Sequence, residues 1–223
     1  MTKTRVVETD QGIQGKVTVA NFDQMQKKLR DRGWIETGQI IQSGITRGHA
    51  LEIGPGPGYL GLEWLKKTQG TTLTGLDISP DMIALAERNA GEYGLTRRVD
   101  YIHSSGSQMP FEDGRFDAVF TTGSLHEWTD PGSTFNEIWR VLKPGGKVFI
   151  SDLRRDMLIF LQWFLWITVE PAAMRPGLRT SIGAAYTPGE LAQLGQKTAL
   201  AGCAISANPI GLTLSGARPV TSL

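Results

Sequence analysis

The sequence predicts an α/β fold: a three-layer sandwich with a mostly parallel sheet and helices on both faces. Three observations carry that prediction. Short apolar runs alternate with helical patterns from His49 to Asp152, and strands separated by helical crossovers imply a parallel sheet covered on both sides. Two of the runs, Ala50-Leu51-Glu52-Ile53 and Leu73-Thr74-Gly75-Leu76-Asp77, end at or beside an acid, and the first leads into Gly54-Pro55-Gly56-Pro57-Gly58. Near the end, two short strand candidates flank Asn208-Pro209-Ile210-Gly211, the pattern of an antiparallel hairpin.

The elements follow in order. Residues 1–20 carry little pattern and read as an N-terminal arm, leaving 21–223 as one domain. Asn21-Phe22-Asp23 caps a helix running to Arg32, with Phe22, Met25 and Leu29 on one face. A second helix is expected over 34–43. Strand 49–53 leads to helix 58–67, and strand 73–77 to helix 80–93. Ser79-Pro80 opens that second helix and Gly94 closes it. Strand 99–103 precedes a loop with Pro110 and Gly114, then strand 116–121 and a helix over about 132–142. Lys143-Pro144-Gly145-Gly146 is a turn into strand 147–152. Apolar helices are expected over 156–169 and 188–201, and strands over 204–207 and 212–215.

Composition limits the function. At 223 residues the chain buries a full single-domain core. With 23 Lys+Arg against 22 Asp+Glu and no basic stripe, nothing points to nucleic acid. The single cysteine, Cys203, excludes an intramolecular disulfide framework and a Cys-rich metal site. The start, Met1-Thr2-Lys3-Thr4-Arg5, lacks the apolar core of a signal peptide, so a cytoplasmic location is expected. The apolar run 157–169, interrupted by Gln162, is shorter than the roughly 20 residues that span a bilayer.

The glycine turn lets backbone approach an adenosyl-type ligand, because glycine lacks a Cβ and tolerates positive φ. Glu52 and Asp77, on adjacent parallel strands, can hold the polar edge of a nucleoside. Gly56-Pro57-Gly58-Tyr59-Leu60-Gly61 also fits the dinucleotide fingerprint, so a nicotinamide-dependent dehydrogenase is one reading of this turn.

Four segments together resemble the class I S-adenosylmethionine (SAM)-dependent methyltransferases of the small-molecule type. They are Glu52 to Gly58, Leu76-Asp77-Ile78-Ser79-Pro80-Asp81-Met82, Met109 to Asp117, and Trp139 to Gly146. The resemblance runs from about Phe22 to Lys147 and weakens after Asp152. It implies a seven-stranded sheet of order 3-2-1-4-5-7-6, with SAM as methyl donor and S-adenosylhomocysteine (SAH) as product. It implies a glycine motif of Glu52, Gly54, Gly56 and Gly58, with Asp77 on the ribose. Ile78, Met82 and Met109 would pack on adenine, and the Thr121 and Thr122 backbone would face the methionine end. Ser105, next to Gly106, stands where the family often has an acid for the adenine amino group. That substitution weakens the contact and keeps open a SAM-binding module without catalysis.

Ligands of open α/β sheets lie beyond the carboxyl ends of the strands, so acceptor residues should follow the fourth and fifth strands. His126 suits a general base, with Glu127 orienting it or touching the acceptor. Trp128 stacks on the acceptor or packs. Asp152 ends the fifth strand. Arg154 and Arg155 either fork onto an acceptor anion or pair with Asp152 and Asp156. No metal is expected, since hard cations need several oxygen ligands. The segment 157–185 reads as an insert. Its apolar part is a lid placing Trp163 over the acceptor, a homodimer contact, or a monotopic membrane helix. The segment lacks the basic face of the last, which favours the first two. The Asp/Asn-Pro-Pro-Tyr motif of nucleic-acid amino-methylating enzymes is missing. A small, partly apolar methyl acceptor is the remaining expectation.

Overall fold

A computed structural model describes residues 4–7 and 13–220. Its seven-stranded sheet comprises β1 (His49–Ile53), β2 (Thr72–Asp77), β3 (Val99–His103), β4 (Phe116–Thr122), β5 (Leu142–Leu153), β6 (Ala204–Ala207) and β7 (Gly211–Ala217). The order is β3-β2-β1-β4-β5-β7-β6, as expected. The first five strands are parallel, whereas β7 runs antiparallel to both β5 and β6. Around the sheet lie α1 (Lys16–Asp31), α2 (Thr37–Gln42), α3 (Tyr59–Lys67), α4 (Pro80–Glu92), α5 (Pro131–Val141), α6 (Ile159–Thr168), α7 (Arg175–Ala184) and α8 (Pro188–Gln196).

Two cores explain why the central strands read as continuous apolar runs. Neighbouring residues on a strand point to opposite faces. Leu51, Val119 and Ile150 enter one core, with Phe135, Ile138 and Leu191. Ala50, Phe120 and Phe149 enter the other, with Leu62, Trp64 and Leu73. Both faces are therefore dry, and every side chain of these strands must be apolar or paired.

Local chemistry sets the helix starts. Ser79 accepts from the Met82 N–H at 3.2 Å, with Pro80 at the first helical position of α4. Asp130 does the same for α5 through the Ser133 N–H at 2.9 Å. Thr187 and Glu190 form a capping box on α8.

The structure departs from expectation at three places. Helix α1 begins at Lys16 rather than near Asn21. Its start is fixed by a tertiary contact, the Gly15 N–H donating to Asp81 at 2.9 Å. The arm before it is also tied down where it is described, since the Val6 N–H donates to the Gly183 carbonyl at 3.1 Å. Helix α7 was not among the expected elements and lies within the segment 157–185 read as an insert. Pro176 sits in the first turn, where its missing N–H removes no helical bond. Finally, β5 starts at Leu142, and the residues expected as a turn form a register shift against β4.

Glu52 lies inside this fold rather than at its rim. It is 1 % exposed and accepts from the backbone of Gly61 in α3. Its Oε2 has no hydrogen-bond partner among the described residues. Burial first, and the nearby Asp77 charge second, push its carboxyl from 4.5 up to about 8. Glu52 is thus bonded to the first turns of α3 from within the fold.

Two predictions follow from this packing. A Cβ at Gly61 would lie 2.2 Å from Glu52 Oε2 and 2.3 Å from Leu73 Cδ2. Gly61→Ala should therefore destabilise by about 1–3 kcal/mol, lowering Tm by several degrees in a calorimetric scan. The second concerns pH. The folded protein keeps the Glu52 proton where the unfolded chain has released it, so this group makes stability fall as pH rises from about 4.5 to about 8. Glu52→Gln should flatten that decline in urea midpoints measured across the same range.

Candidate active site

The site forms where β1, β2, β4 and β5 end. Gly54, Gly56 and Gly58 all have positive φ, at 65°, 52° and 84°. At Gly58 the requirement is also steric, since a Cβ there would lie 2.7 Å from Tyr101 Oη. The Gly56 N–H donates to Asp77 Oδ2 at 3.1 Å, and the Ser79 N–H to Asp77 Oδ1 at 2.9 Å. One carboxylate thus ties the glycine turn to the end of β2. Burial pushes the Asp77 carboxyl up, while these N–H groups oppose the shift. A carboxylate oxygen accepts more than one donor, so both oxygens retain capacity toward a diol. Helix α1 covers the turn: Phe22 lies 3.2 Å from where a Gly56 Cβ would stand, and Tyr59 Oη donates to Asp23 at 2.7 Å.

The remaining residues of this half differ in access. Ser105 is exposed, and its hydroxyl pairs with that of Ser107 at 2.9 Å. Gly106 approaches Thr134, with 3.1 Å between a notional Cβ and the Thr134 methyl. Ile78 is half-buried, and its carbonyl pairs with His103 at 3.0 Å. Met82 and Met109 are enclosed in the packed interior. The Thr121 hydroxyl turns inward to the Ile53 carbonyl at 2.7 Å and to Ser124 at 2.6 Å. Thr122 is half-buried, and Gly123 next to it has positive φ and open space where a side chain would stand.

On the other half, Asp152 organises the site. Its Oδ2 accepts from the His126 N–H at 2.7 Å, and His126 Nδ1 lies 2.9 Å from Oδ1. The Leu153 N–H also donates to it, at 2.7 Å. His126 is 4 % exposed, and its Nε2 lies 3.9 Å from Glu127 Oε1. The pairing through Nδ1 directs the chemistry of the ring to Nε2. Asp152 therefore holds His126 in place.

Four further acceptor-side candidates are placed as follows. Arg154 is held by Asp156 at 2.7 and 2.9 Å and by the Asn208 carbonyl at 3.0 Å. Arg155 is buried and pairs with Glu190 at 2.5 Å and with the Ala185 carbonyl. Both guanidinium groups are satisfied within the protein, which fixes the chain leaving β5. Trp163 is 62 % exposed on α6. Trp128 packs edge-to-face on Phe135, with ring centroids 6.0 Å apart, in the core.

Glu36 is a site residue that the sequence did not reveal. It precedes α2 and hydrogen-bonds Ser151 at the end of β5, close to Asp152. Burial first, and the Asp152 charge among the lesser causes, raise its carboxyl pKa. No local pattern marks it; only the folding of α2 against the sheet brings it there. Among the described residues, no group of three His, Cys, Asp or Glu could hold a metal ion. Nor is any described helix long and apolar enough to cross a membrane.

Known proteins agree with this geometry. Residues 51–150 match the family model of a methyltransferase domain. The uncharacterized methyltransferase YdaC of Bacillus subtilis is 37% identical over 118 residues, 52% of this chain and 63% of that protein. The demethylmenaquinone methyltransferase of Roseiflexus castenholzii is 29% identical over 179 residues, 74% of this chain and 72% of that one. A Methanococcus maripaludis structure, by name an S-adenosyl-L-methionine-dependent methyltransferase, superimposes on 100% of this chain and 99% of its own. Its TM-score is 0.73 at 22% identity, a likeness of fold. Sheet order, glycine turn and the methyltransferase domain matched over residues 51–150 together support a class I SAM-dependent methyltransferase.

Proposed function

We propose that the protein transfers the methyl group of SAM to a small, partly apolar acceptor of quinone-like chemistry. The observation that carries this reading is the pairing of two half-sites at the carboxyl ends of one sheet. Asp77 and the glycine turn stand on one side, and the Asp152–His126 pair stands on the other. The acceptor class is supported by the Roseiflexus relative, whose name specifies a demethylmenaquinone.

The residues present fit the cofactor. Asp77 retains acceptor capacity for the ribose hydroxyls, Ser105 offers an exposed hydroxyl to adenine, and Gly123 leaves room at the methionine end. SAM supplies a methyl group already activated by its sulfonium. The protein's task is then orientation and exclusion of water. His126, fixed through Nδ1, takes the acceptor's proton at Nε2 as the acceptor atom gains the methyl carbon. Glu127, 3.9 Å away, stabilises the imidazolium that results. Glu36 supplies a second carboxyl beside this pair.

The direct experiment is SAH formation from SAM with a short-chain demethylmenaquinone, and with a cell-extract acceptor pool. Turnover with the quinone supports the full reading. Turnover with the pool alone removes the quinone. SAH binding without turnover on either would leave a binding module, a reading the burial of His126 favours.

Two variants separate the half-sites. Asp77→Ala removes the charged partner of the ribose and should weaken SAH binding about ten- to a hundredfold by calorimetry. His126→Ala should lower turnover while leaving SAH affinity within about threefold, or about 0.65 kcal/mol. Loss of SAH binding in the second variant would place His126 on the cofactor instead.

A further inference from the structure

Helix α6 presents an apolar face that nothing among the described residues covers. Leu161, Gln162, Leu165 and Thr168 are half-buried and turn toward the protein. Ile159, Phe160, Trp163, Phe164, Trp166 and Ile167 are exposed, from 38 % at Ile167 to 77 % at Ile159. A contiguous apolar patch of this kind marks an interaction surface.

The cations that this segment lacks in its own sequence arrive from other elements. Glu170, just beyond α6, pairs with Lys28 and lies 3.7 Å from Arg32, both on or next to α1. Arg175, at the start of α7, acts on the same carboxylate and stacks on Trp166, 4.5 Å from the ring centroid. Arg32 also stacks on Trp34, at 5.2 Å, and Trp34 is itself 55 % exposed. Three cations around one carboxylate leave net positive charge along the edge of the apolar face, with exposed aromatics between them.

We propose that α6 and this flanking cluster dock the protein on an anionic lipid bilayer. The helix lies in the plane of the interface, with Phe160, Trp163 and Phe164 among the acyl chains. Lys28, Arg32 and Arg175 stand at the level of the lipid phosphates. An aromatic-rich apolar face beside cations is the chemistry that such an interface selects. At ten residues, or about 15 Å, the helix lies on the membrane and does not cross it. A second copy of the chain docked face to face would cover the apolar face, but it brings the same net positive cluster against this one. The inference rests on this surface alone and stands whatever the acceptor proves to be.

The test is co-sedimentation with vesicles of phosphatidylcholine and of phosphatidylcholine mixed with phosphatidylglycerol. The protein should bind the anionic vesicles, less so at raised salt, and bind the neutral ones weakly. F160S/W163S should weaken partitioning by about tenfold or more, with thermal melting unchanged because both side chains are exposed. K28S/R32S should weaken it about fivefold per charge on anionic vesicles only. Three results would overturn the proposal: no binding to anionic vesicles, full binding by F160S/W163S, or a dimer in sedimentation equilibrium that F160S/W163S converts to monomer.

Discussion

Four parallel strands stop at the crevice, and their last backbone groups can no longer be paired by the ladder. Such groups inside a protein must find partners. Here side chains and glycine turns provide them. Asp77 takes the N–H groups of Gly56 and Ser79, Thr121 donates to the Ile53 carbonyl, and Asp152 takes the His126 and Leu153 N–H groups. The Gly123 N–H reaches the Ser151 carbonyl at 2.8 Å. The rim of the site is the set of residues that terminates the sheet. Asp77 and Asp152 hold backbone in place and also face the two halves of the crevice, so each shapes the site by the same bonds that close the fold.

That arrangement separates two kinds of buried acid. Asp77 sits among N–H donors, which oppose the upward push of its burial. Glu52 has only the Gly61 backbone and sits one layer below, where burial dominates and its proton is retained near neutrality. A neutral acid beneath the glycine turn avoids placing a second full negative charge against Asp77. Glu36 resembles Glu52 in being buried beside an aspartate, but it reaches Ser151 at the end of β5.

The sequence made visible whatever local rules decide. Ser79-Pro80 opened α4 as written, the five parallel strands appeared as apolar runs, and the terminal hairpin was marked by its turn. The direction in which Glu52 points could not be read, because a strand buried on both faces gives no polar side by which to orient it. Pairing of Arg154 with Asp156 is one of the two readings open to the sequence, whereas Arg155 pairs with Glu190, an acid that no local pattern connects to it. Glu36 was hidden because α2 carries no signal of what it packs against. The basic border of α6 was hidden for a related reason: Lys28 and Arg32 lie more than a hundred residues before the helix they flank.

The N-terminal segment joins the halves of the site by contacts unlike those of the sheet. Arg5 donates to the carbonyls of Ala184 at 2.6 Å and His126 at 3.2 Å, and stacks on Tyr186 at 4.2 Å. Further along, the Ile13 carbonyl accepts from Ser79 at 2.7 Å, and Gly15 bonds Asp81. Each link is a single polar contact with a net worth of about 1 kcal/mol. The strands beneath are fixed by continuous ladders and by two apolar cores. Displacing residues 4–7 or 13–15 therefore costs far less than disturbing the strand ends, and ligand access at small energetic cost lies on the side of these contacts.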